Sequence, residues 1–262
     1  MAREPVFRDD FVGTYFAVRV WLALLAFVLP ISICVTGHSQ GLDLQPSMSA
    51  YFYSDGRNFF VGFLCAVACG LVAYKGFSKL EDYSLNAAGA FALGVAFFPM
   101  GREKALTCNE WATSDWPGTP SFVHGVCALG FFVCLAVVVL KCAHRTLHFI
   151  PSPTTRLRYR AIYTFLGCLF VVAIVVVGVF LSLTAKDDCH NYWLLGVEWA
   201  GVWTFGIFWI VKTVECRRYR VDSRAPSARR STRFNADLVS FGTLMKRAAL
   251  VRERVARRKT RR

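Results

Sequence analysis

The chain has 262 residues, of which 55% are hydrophobic and 18% are charged, and its formal net charge is +14 at pH 7. Soluble domains reach a similar apolar fraction, but here the apolar residues are collected in blocks of 16 to 23 residues. This distribution argues against a soluble bundle and predicts an all-α integral membrane protein.

Six apolar blocks follow one another along the chain and predict a single bundle of six transmembrane helices. A span needs about 20 residues, so the second and third blocks are short, and the second is expected to begin earlier, near Ser47–Ala50. The first block is too long for a signal peptide and lacks a cleavage site of small residues. The fifth is almost purely apolar, which favours a lipid-exposed helix. The blocks are Tyr15–Val35, Phe59–Tyr74, Leu85–Met100, Phe122–Leu140, Ile162–Thr184 and Trp193–Thr213.

The distribution of Lys and Arg predicts that both termini are cytoplasmic, in an integral protein of the plasma membrane. With the N-terminus inside, the inner segments hold 26 of the 31 basic residues, and the outer segments hold four. Positive charge is enriched on the cytoplasmic side of membrane proteins. Arg19, one turn into the first span, is expected to snorkel towards the inner surface.

The positive net charge belongs mainly to the C-terminal part, which divides the chain into a transmembrane domain (1–213) and a basic cytoplasmic tail (214–262). Within the tail, residues 235–255 combine apolar residues at helical spacing with Lys and Arg. This pattern predicts a basic amphipathic helix that binds anionic lipid headgroups on the inner leaflet. The alternative is a disordered tail, which the preceding PSARRST segment favours. No nucleic-acid-binding module is visible.

Two of the ten cysteines, Cys108 and Cys189, fall in predicted outer loops. The other eight fall in spans or at inner helix ends, where a thiol packs as a small apolar group. Because the outer side is the oxidising side, the sequence predicts one disulfide between Cys108 and Cys189.

Glu198 is the most informative residue, because it is the one carboxylate inside the last apolar block. It lies about 8 Å along the helix axis from Trp193. An ionisable group at that depth is costly unless it is paired or faces an aqueous cavity, so it is a candidate functional residue. The alternative is a buried polar clamp between helices.

Further polar residues are predicted at the same outer level of the bundle. If the second helix starts near Ser47, then Ser47, Tyr51 and Asp55 share one of its faces. His124 lies in the first turn of the fourth span. These residues are therefore expected to converge with Glu198 on one polar pocket in the outer half of the membrane.

This outer pocket has the residue types for two kinds of chemistry. His124, Asp55 and Glu198 could bind a divalent metal ion, with zinc as the candidate. Glu198, Asp55, Ser47 and Tyr51 could instead serve acid–base catalysis. A purely structural network and a pocket for a ligand or ion remain open alternatives. His144 and His148 have metal-binding spacing, but neighbouring basic residues favour an interfacial anchor.

The segment PSMSAYFYSDGRNFFVG (46–62) resembles the opening before a span in six-pass proteins of the DRAM and GPI-remodelling type. It is also similar to small bacterial membrane proteins with a Pro-Ser-x-Ser-x-Tyr motif. A more distant similarity links the chain to the alkaline ceramidase and progestin-receptor-like superfamily. That resemblance implies a zinc-dependent lipid amide hydrolase in which Ser47 or Ser49, Asp55 and His124 hold the metal, with Glu198 in place of a histidine.

The sequence therefore predicts a multi-pass membrane protein whose outer-leaflet pocket takes a lipid-like ligand, with metal-dependent lipid hydrolysis as the candidate activity. The alternative is a membrane protein without enzymatic activity, either a scaffold that binds partners or a small transporter. Transporters often contain inverted repeats and broken helices. Neither feature is visible in the sequence, which ranks transport below the scaffold. Membrane lipids are the expected partners in the leading interpretation.

Overall fold

The computed structural model describes residues 3–100, 121–183 and 192–224. These residues are almost entirely helical, with no strand among them, which confirms the predicted all-α class for the described part of the chain. The long helices are α1 (Arg3–Ser39), α2 (Arg57–Ala73), α3 (Lys79–Phe97), α4 (Ser121–Val137), α5 (Pro153–Leu183) and α6 (Trp193–Tyr219). A 3-10 helix (Met48–Tyr53) precedes α2, and the short α7 (Val221–Arg224) follows α6. Helix α4 is extended by a π-helical turn (Val138–Cys142) and a second 3-10 helix (Ala143–Phe149).

Four helical segments are long and apolar enough to cross a bilayer: Val12–Ser39, Phe122–Phe149, Pro153–Gly178 and Trp193–Tyr219. Helix α2 is also apolar but has only 17 residues. The α5 segment is the least buried of the four, and its surface carries large exposed side chains such as Phe165, Val172 and Val175. The chain is thus a membrane protein by composition and helix length, whereas the count of six spans stays a prediction.

The helices pack in chain order from α1 to α6, and α6 packs back against α1. One end of this ring, which we call the basal end, brings the first part of α1 to the ends of α2 and α6, where Arg19 bonds to Tyr74 and Asp222. At the opposite, apical end, His124 in α4 bonds to Phe98 after α3. Consecutive helices therefore run in alternating directions.

The interior between the helices is filled by aromatic rings and closed by small residues. Trp209 is buried and packs edge-on against Tyr74, with 5.0 Å between the ring centroids, and its ring also meets Phe205 and Phe208. Where α2 meets α3, a Cβ atom added at Gly89 would lie 3.0 Å from a backbone carbonyl of α2. Small residues at such contacts let membrane helices approach closely.

Two local predictions are wrong. The second helix does not run continuously from Ser47, because the 3-10 helix ends at Tyr53 and α2 begins only at Arg57. The single helical face predicted for Ser47, Tyr51 and Asp55 is consequently absent. Arg19 does not snorkel either: its side chain is 1% exposed and forms an ion pair with Asp222.

Other predictions fall wholly or partly on residues that the structure does not describe. Cys108, Cys189 and the tail segment 235–255 all lie outside the described ranges. The eight cysteines within those ranges have free thiols. Helix α6 continues to Tyr219, six residues past the predicted domain boundary at 213.

Candidate functional site

The apical 3-10 helix, Met48–Tyr53, is the unusual element of the apical end, because all six of its residues are buried. Ser47 begins it in an extended conformation, and its hydroxyl accepts a hydrogen bond from the Ala50 N–H at 3.2 Å. Ser54 ends it by donating its hydroxyl to the Tyr51 carbonyl at 2.7 Å. Serine at both ends thus satisfies backbone groups that a short helix leaves without partners.

Three further contacts fix this helix to the bundle. The Leu195 N–H donates to the Pro46 carbonyl at 3.0 Å, which ties it to the start of α6. The Tyr53 hydroxyl donates to the Met100 carbonyl at 2.6 Å, which ties it to the end of α3. The hydroxyls of Ser47 and Ser49 also reach the Met100 sulfur, at 3.5 and 3.4 Å.

Glu198 is the charged group of this arrangement. Its Oε2 accepts a hydrogen bond from the Met48 N–H at 2.6 Å. Met48 is the first residue of the 3-10 helix, so the carboxylate satisfies a backbone donor that has no partner within the helix. The Glu198 residue as a whole is only half-buried. Its Oε1 takes part in no hydrogen bond with any other described residue, which leaves one carboxylate oxygen available.

A cavity of about 350 Å³ opens beside the apical 3-10 helix, between the last turns of α1 and the segment that follows it. Its lining residues are Cys34, Val35, His38, Leu42, Leu44 and Tyr51. Most of these side chains are apolar, and the Tyr51 hydroxyl adds a polar edge by accepting from the Gln45 N–H at 3.3 Å. Burial raises the pKa of the Tyr51 phenol, so the hydroxyl keeps its proton.

The structure places the other predicted site residues in different surroundings. His124 is 9% exposed, and its Nδ1 lies 2.9 Å from the Phe98 carbonyl oxygen. Asp55 is exposed on the turn before α2, where its N–H donates to the Gln40 side chain. Only Ser47, Tyr51 and Glu198 therefore meet around the same element.

Metal binding was predicted for His124, Asp55 and Glu198. Among residues 3–100, 121–183 and 192–224, no group of three His, Cys, Asp or Glu side chains is arranged to hold a metal ion. The pair His144 and His148 lies in the second 3-10 helix, where the Nδ1 of His148 lies 2.6 Å from the Arg145 carbonyl oxygen. The catalytic and metal-binding roles stay predictions.

A second polar cluster, which we call the basal network, lies at the opposite end of the bundle. Lys212 and Glu215 on α6 form an ion pair at 3.2 Å with side chains 1% and 0% exposed. Thr146 and Tyr163 each donate a hydroxyl to the Glu215 carboxylate. Lys212 in turn donates to the Thr146 hydroxyl and to the Ala143 carbonyl. One acidic side chain thus joins α5, α6 and the extension of α4.

The basal end also holds the buried pair of Arg19 and Asp222. The guanidinium binds both carboxylate oxygens, with distances of 3.0 and 2.5 Å, and a third bond joins Arg19 to the Tyr74 hydroxyl at 3.3 Å. Arg220 makes this possible by adopting a left-handed conformation (φ 50°) that turns the chain after α6 back towards α1.

Sequence reasoning missed the basal network. Lys212 and Glu215 are spaced i and i+3, which places them as neighbours on one helical face, but the positive charge was assigned to the inner membrane surface. No periodicity connects Thr146 and Tyr163 to that face, since they come from other helices. The sequence feature that could have indicated the basal network was Glu215 itself, a carboxylate directly after an apolar span.

Comparisons with known proteins found no relative: no protein-family model, no curated protein and no solved structure matches the chain. The resemblance to six-pass lipid-remodelling proteins and to the ceramidase-like superfamily therefore stays a prediction. The functional argument depends on the geometry of the two ends of the bundle.

Proposed function

We propose that this chain is a six-pass membrane protein that binds a lipid-like molecule in the cavity at its apical end. The observation that carries the proposal is the cavity itself, which lies beside a buried, capped 3-10 helix whose first N–H binds a half-buried carboxylate. Ligand sites typically combine apolar walls with a few well-placed polar groups. The cavity volume of about 350 Å³ suits one part of a lipid, such as the first carbons of an acyl chain.

Six passes are supported by the way α2 and α3 are built into the bundle. Both pack between the longer helices, and their ends reach the same apical and basal contacts as the ends of the longer helices. A span shorter than the bilayer is tolerated by local thinning or by flanking residues. The distribution of Lys and Arg then favours a cytoplasmic basal end in the plasma membrane, with the basic tail near anionic headgroups.

The proposed role is binding, and no feature of the described residues favours hydrolysis over binding. The hydroxyl of Ser47 caps the apical 3-10 helix, and the carboxylate of Glu198 holds its first N–H. Both groups therefore make structural contacts, which do not by themselves indicate catalysis. Metal-dependent lipid hydrolysis stays a prediction, and a scaffold without a lipid site is the alternative that the experiment below separates.

The test is photolabelling of the purified full-length protein in detergent micelles. The probe is a trace of phosphatidylcholine with a photoreactive diazirine near the carbonyl end of one acyl chain. We expect adducts on the 34–44 segment that disappear when excess unlabelled phosphatidylcholine is added, because a built cavity saturates. Val35→Trp, which fills the cavity, should abolish these adducts.

Val28→Trp is the matched control, because Val28 is also exposed on α1 but is two turns from the cavity residue Val35. This variant should be labelled like the unmodified protein. Labelling that never saturates and is spread evenly over the exposed helix faces would contradict a lipid site and favour the scaffold.

A further inference from the structure

We propose that Glu198 binds the cationic ammonium group of the lipid headgroup, so that the apical site selects lipids with choline or ethanolamine headgroups. This inference builds on the proposed lipid site and names the chemical class of its ligand. It starts from the hydrogen bond that the Met48 N–H donates to Oε2, the one bond of the Glu198 carboxylate within residues 3–100, 121–183 and 192–224. A carboxylate has capacity for several hydrogen bonds, so Oε1 can accept a further donor.

No cation of the described chain neutralises this carboxylate. Within residues 3–100, 121–183 and 192–224, no Lys, Arg or His side chain forms an ion pair with Glu198. Arg57, a cation of the apical end, donates its Nε–H to the Phe52 carbonyl at 3.0 Å and stacks over the Phe52 ring. His124 lies against the Phe98 carbonyl. A charge left without a partner near apolar surroundings is costly, and a cationic ligand would remove that cost.

The apical 3-10 helix connects this carboxylate to the cavity. Met48, which donates to Glu198, and Tyr51, which lines the cavity, are three residues apart. The same short helix therefore contacts the Glu198 carboxylate at its first residue and borders the cavity with Tyr51. One turn of a 3-10 helix rises about 6 Å, so a lipid that binds along this helix would place its ammonium group at Glu198 and an apolar part in the cavity.

The depth of Glu198 in the membrane agrees with a headgroup contact. Helix α6 has 27 residues and is thus about 40 Å long, close to the thickness of a bilayer including its headgroups. Glu198 lies five residues after Trp193, or about 8 Å from the end of the helix. That position corresponds to the boundary between headgroups and hydrocarbon, which an ammonium group can reach.

Charge decides which headgroups fit. An anionic headgroup without an amine, such as phosphatidylglycerol, would bring its phosphate towards a carboxylate and offer no cation in return. Phosphatidylethanolamine offers a positive ammonium group with three N–H donors, whereas the quaternary ammonium of phosphatidylcholine offers charge alone. A hydrogen bond between charged groups contributes about 1.5–3 kcal/mol, so a preference of about tenfold or more for phosphatidylethanolamine over phosphatidylglycerol is expected.

The experiment repeats the photolabelling assay as a competition between two unlabelled lipids with identical acyl chains. Phosphatidylethanolamine should displace the probe from the 34–44 segment at a concentration about tenfold lower than phosphatidylglycerol. Glu198→Gln should retain saturable labelling but lose the difference between the two lipids, because Gln is neutral. Glu198→Asp keeps the charge and should keep the order of the two lipids.

The outcomes separate this inference from the proposed function. Saturable labelling with equal competition by both lipids in the unmodified protein overturns the role of Glu198 and leaves the lipid site intact. Stronger competition by phosphatidylglycerol overturns it as well. Labelling that does not saturate removes the lipid site and the headgroup inference together. The competition between the two lipids in the unmodified protein tests the headgroup preference even if Glu198→Gln does not fold.

Discussion

At the basal end, the Glu215 carboxylate accepts hydrogen bonds from Thr146, Tyr163 and Lys212, whereas the apical carboxylate of Glu198 accepts one bond from the backbone. Glu215 is completely buried, and Glu198 is half-buried at the first residue of a short helix that borders a cavity. Both carboxylates belong to α6, near its opposite ends. Their different surroundings indicate different roles for the same chemical group.

The difference shows how to distinguish a structural charge from one that is available to a ligand. A buried carboxylate with complete partners holds helices in register, and the removal of one partner leaves an uncompensated charge. A carboxylate with a free oxygen beside a cavity contributes less to folding and can bind a ligand. We therefore assign stability to the basal end and binding to the apical end.

The largest loss of stability is expected when Lys212 is removed from the basal network. Lys212→Met leaves Glu215 buried without its cation, and we expect the free energy of unfolding to fall by about 4–5 kcal/mol. The measurement is denaturant-induced unfolding in mixed micelles. Lys212→Met/Glu215→Gln removes both charges of the ion pair and should recover part of the loss, since Glu215 no longer carries an uncompensated charge.

Thr213→Val is the matched control for Lys212→Met. Thr213 is the next residue of α6, is also buried, and donates its hydroxyl only to the Trp209 carbonyl of its own helix. The expected loss is about 0.5 kcal/mol. If Lys212→Met costs no more than this control, the basal network does not hold the bundle together.

A smaller effect is expected at the second basal pair. Arg19→Met leaves Asp222 without the guanidinium that binds both of its oxygens, and the unfolding free energy should fall by about 3 kcal/mol. The effect is smaller than at Lys212 because the Asp222 side chain keeps 7% exposure and can be solvated. Arg218→Met, at an exposed position near the end of α6, should change stability by less than about 0.5 kcal/mol. Equal losses in the two variants would show that the pair is not structural.

The sequence was sufficient to predict the helical class and the long apolar helices, because the length and composition of a block are local properties. It also indicated that Glu198 needs a partner. It did not predict that this partner is a backbone N–H, since the 3-10 helix at Met48–Tyr53 arises from the capping hydroxyls of Ser47 and Ser54. A continuous helix from Ser47 would have used that N–H differently.

The basal contacts could not be predicted for a different reason. Arg19 and Asp222 are 203 residues apart, and no periodic pattern relates them. Their contact follows from the return of α6 to α1 and from the left-handed conformation of Arg220. Such long-range pairs depend on the arrangement of the helices, which composition and spacing do not specify.

The smallest loss of stability is expected from a substitution at the apical end. Ser47→Ala removes the side-chain cap of the apical 3-10 helix, and the unfolding free energy should decrease by about 1 kcal/mol. Ser39→Ala, which removes an exposed hydroxyl bonded to the Thr36 carbonyl, should cost less than about 0.5 kcal/mol. A loss after Ser47→Ala as large as that after Lys212→Met would mean that the apical end is as important for stability as the basal end.

The most direct test of the account compares the unfolding free energies of Glu198→Gln and Glu215→Gln in the same micelles. Gln at 198 can still accept the Met48 N–H through its carbonyl oxygen, so we expect a loss below about 1 kcal/mol. Gln at 215 removes the carboxylate that pairs with Lys212 and leaves the buried ammonium with only the Glu81 carboxylate beyond ion-pair distance, so we expect a loss of at least about 3 kcal/mol. Equal losses, or a larger loss at Glu198, would contradict the assignment of stability to the basal end and ligand binding to the apical end.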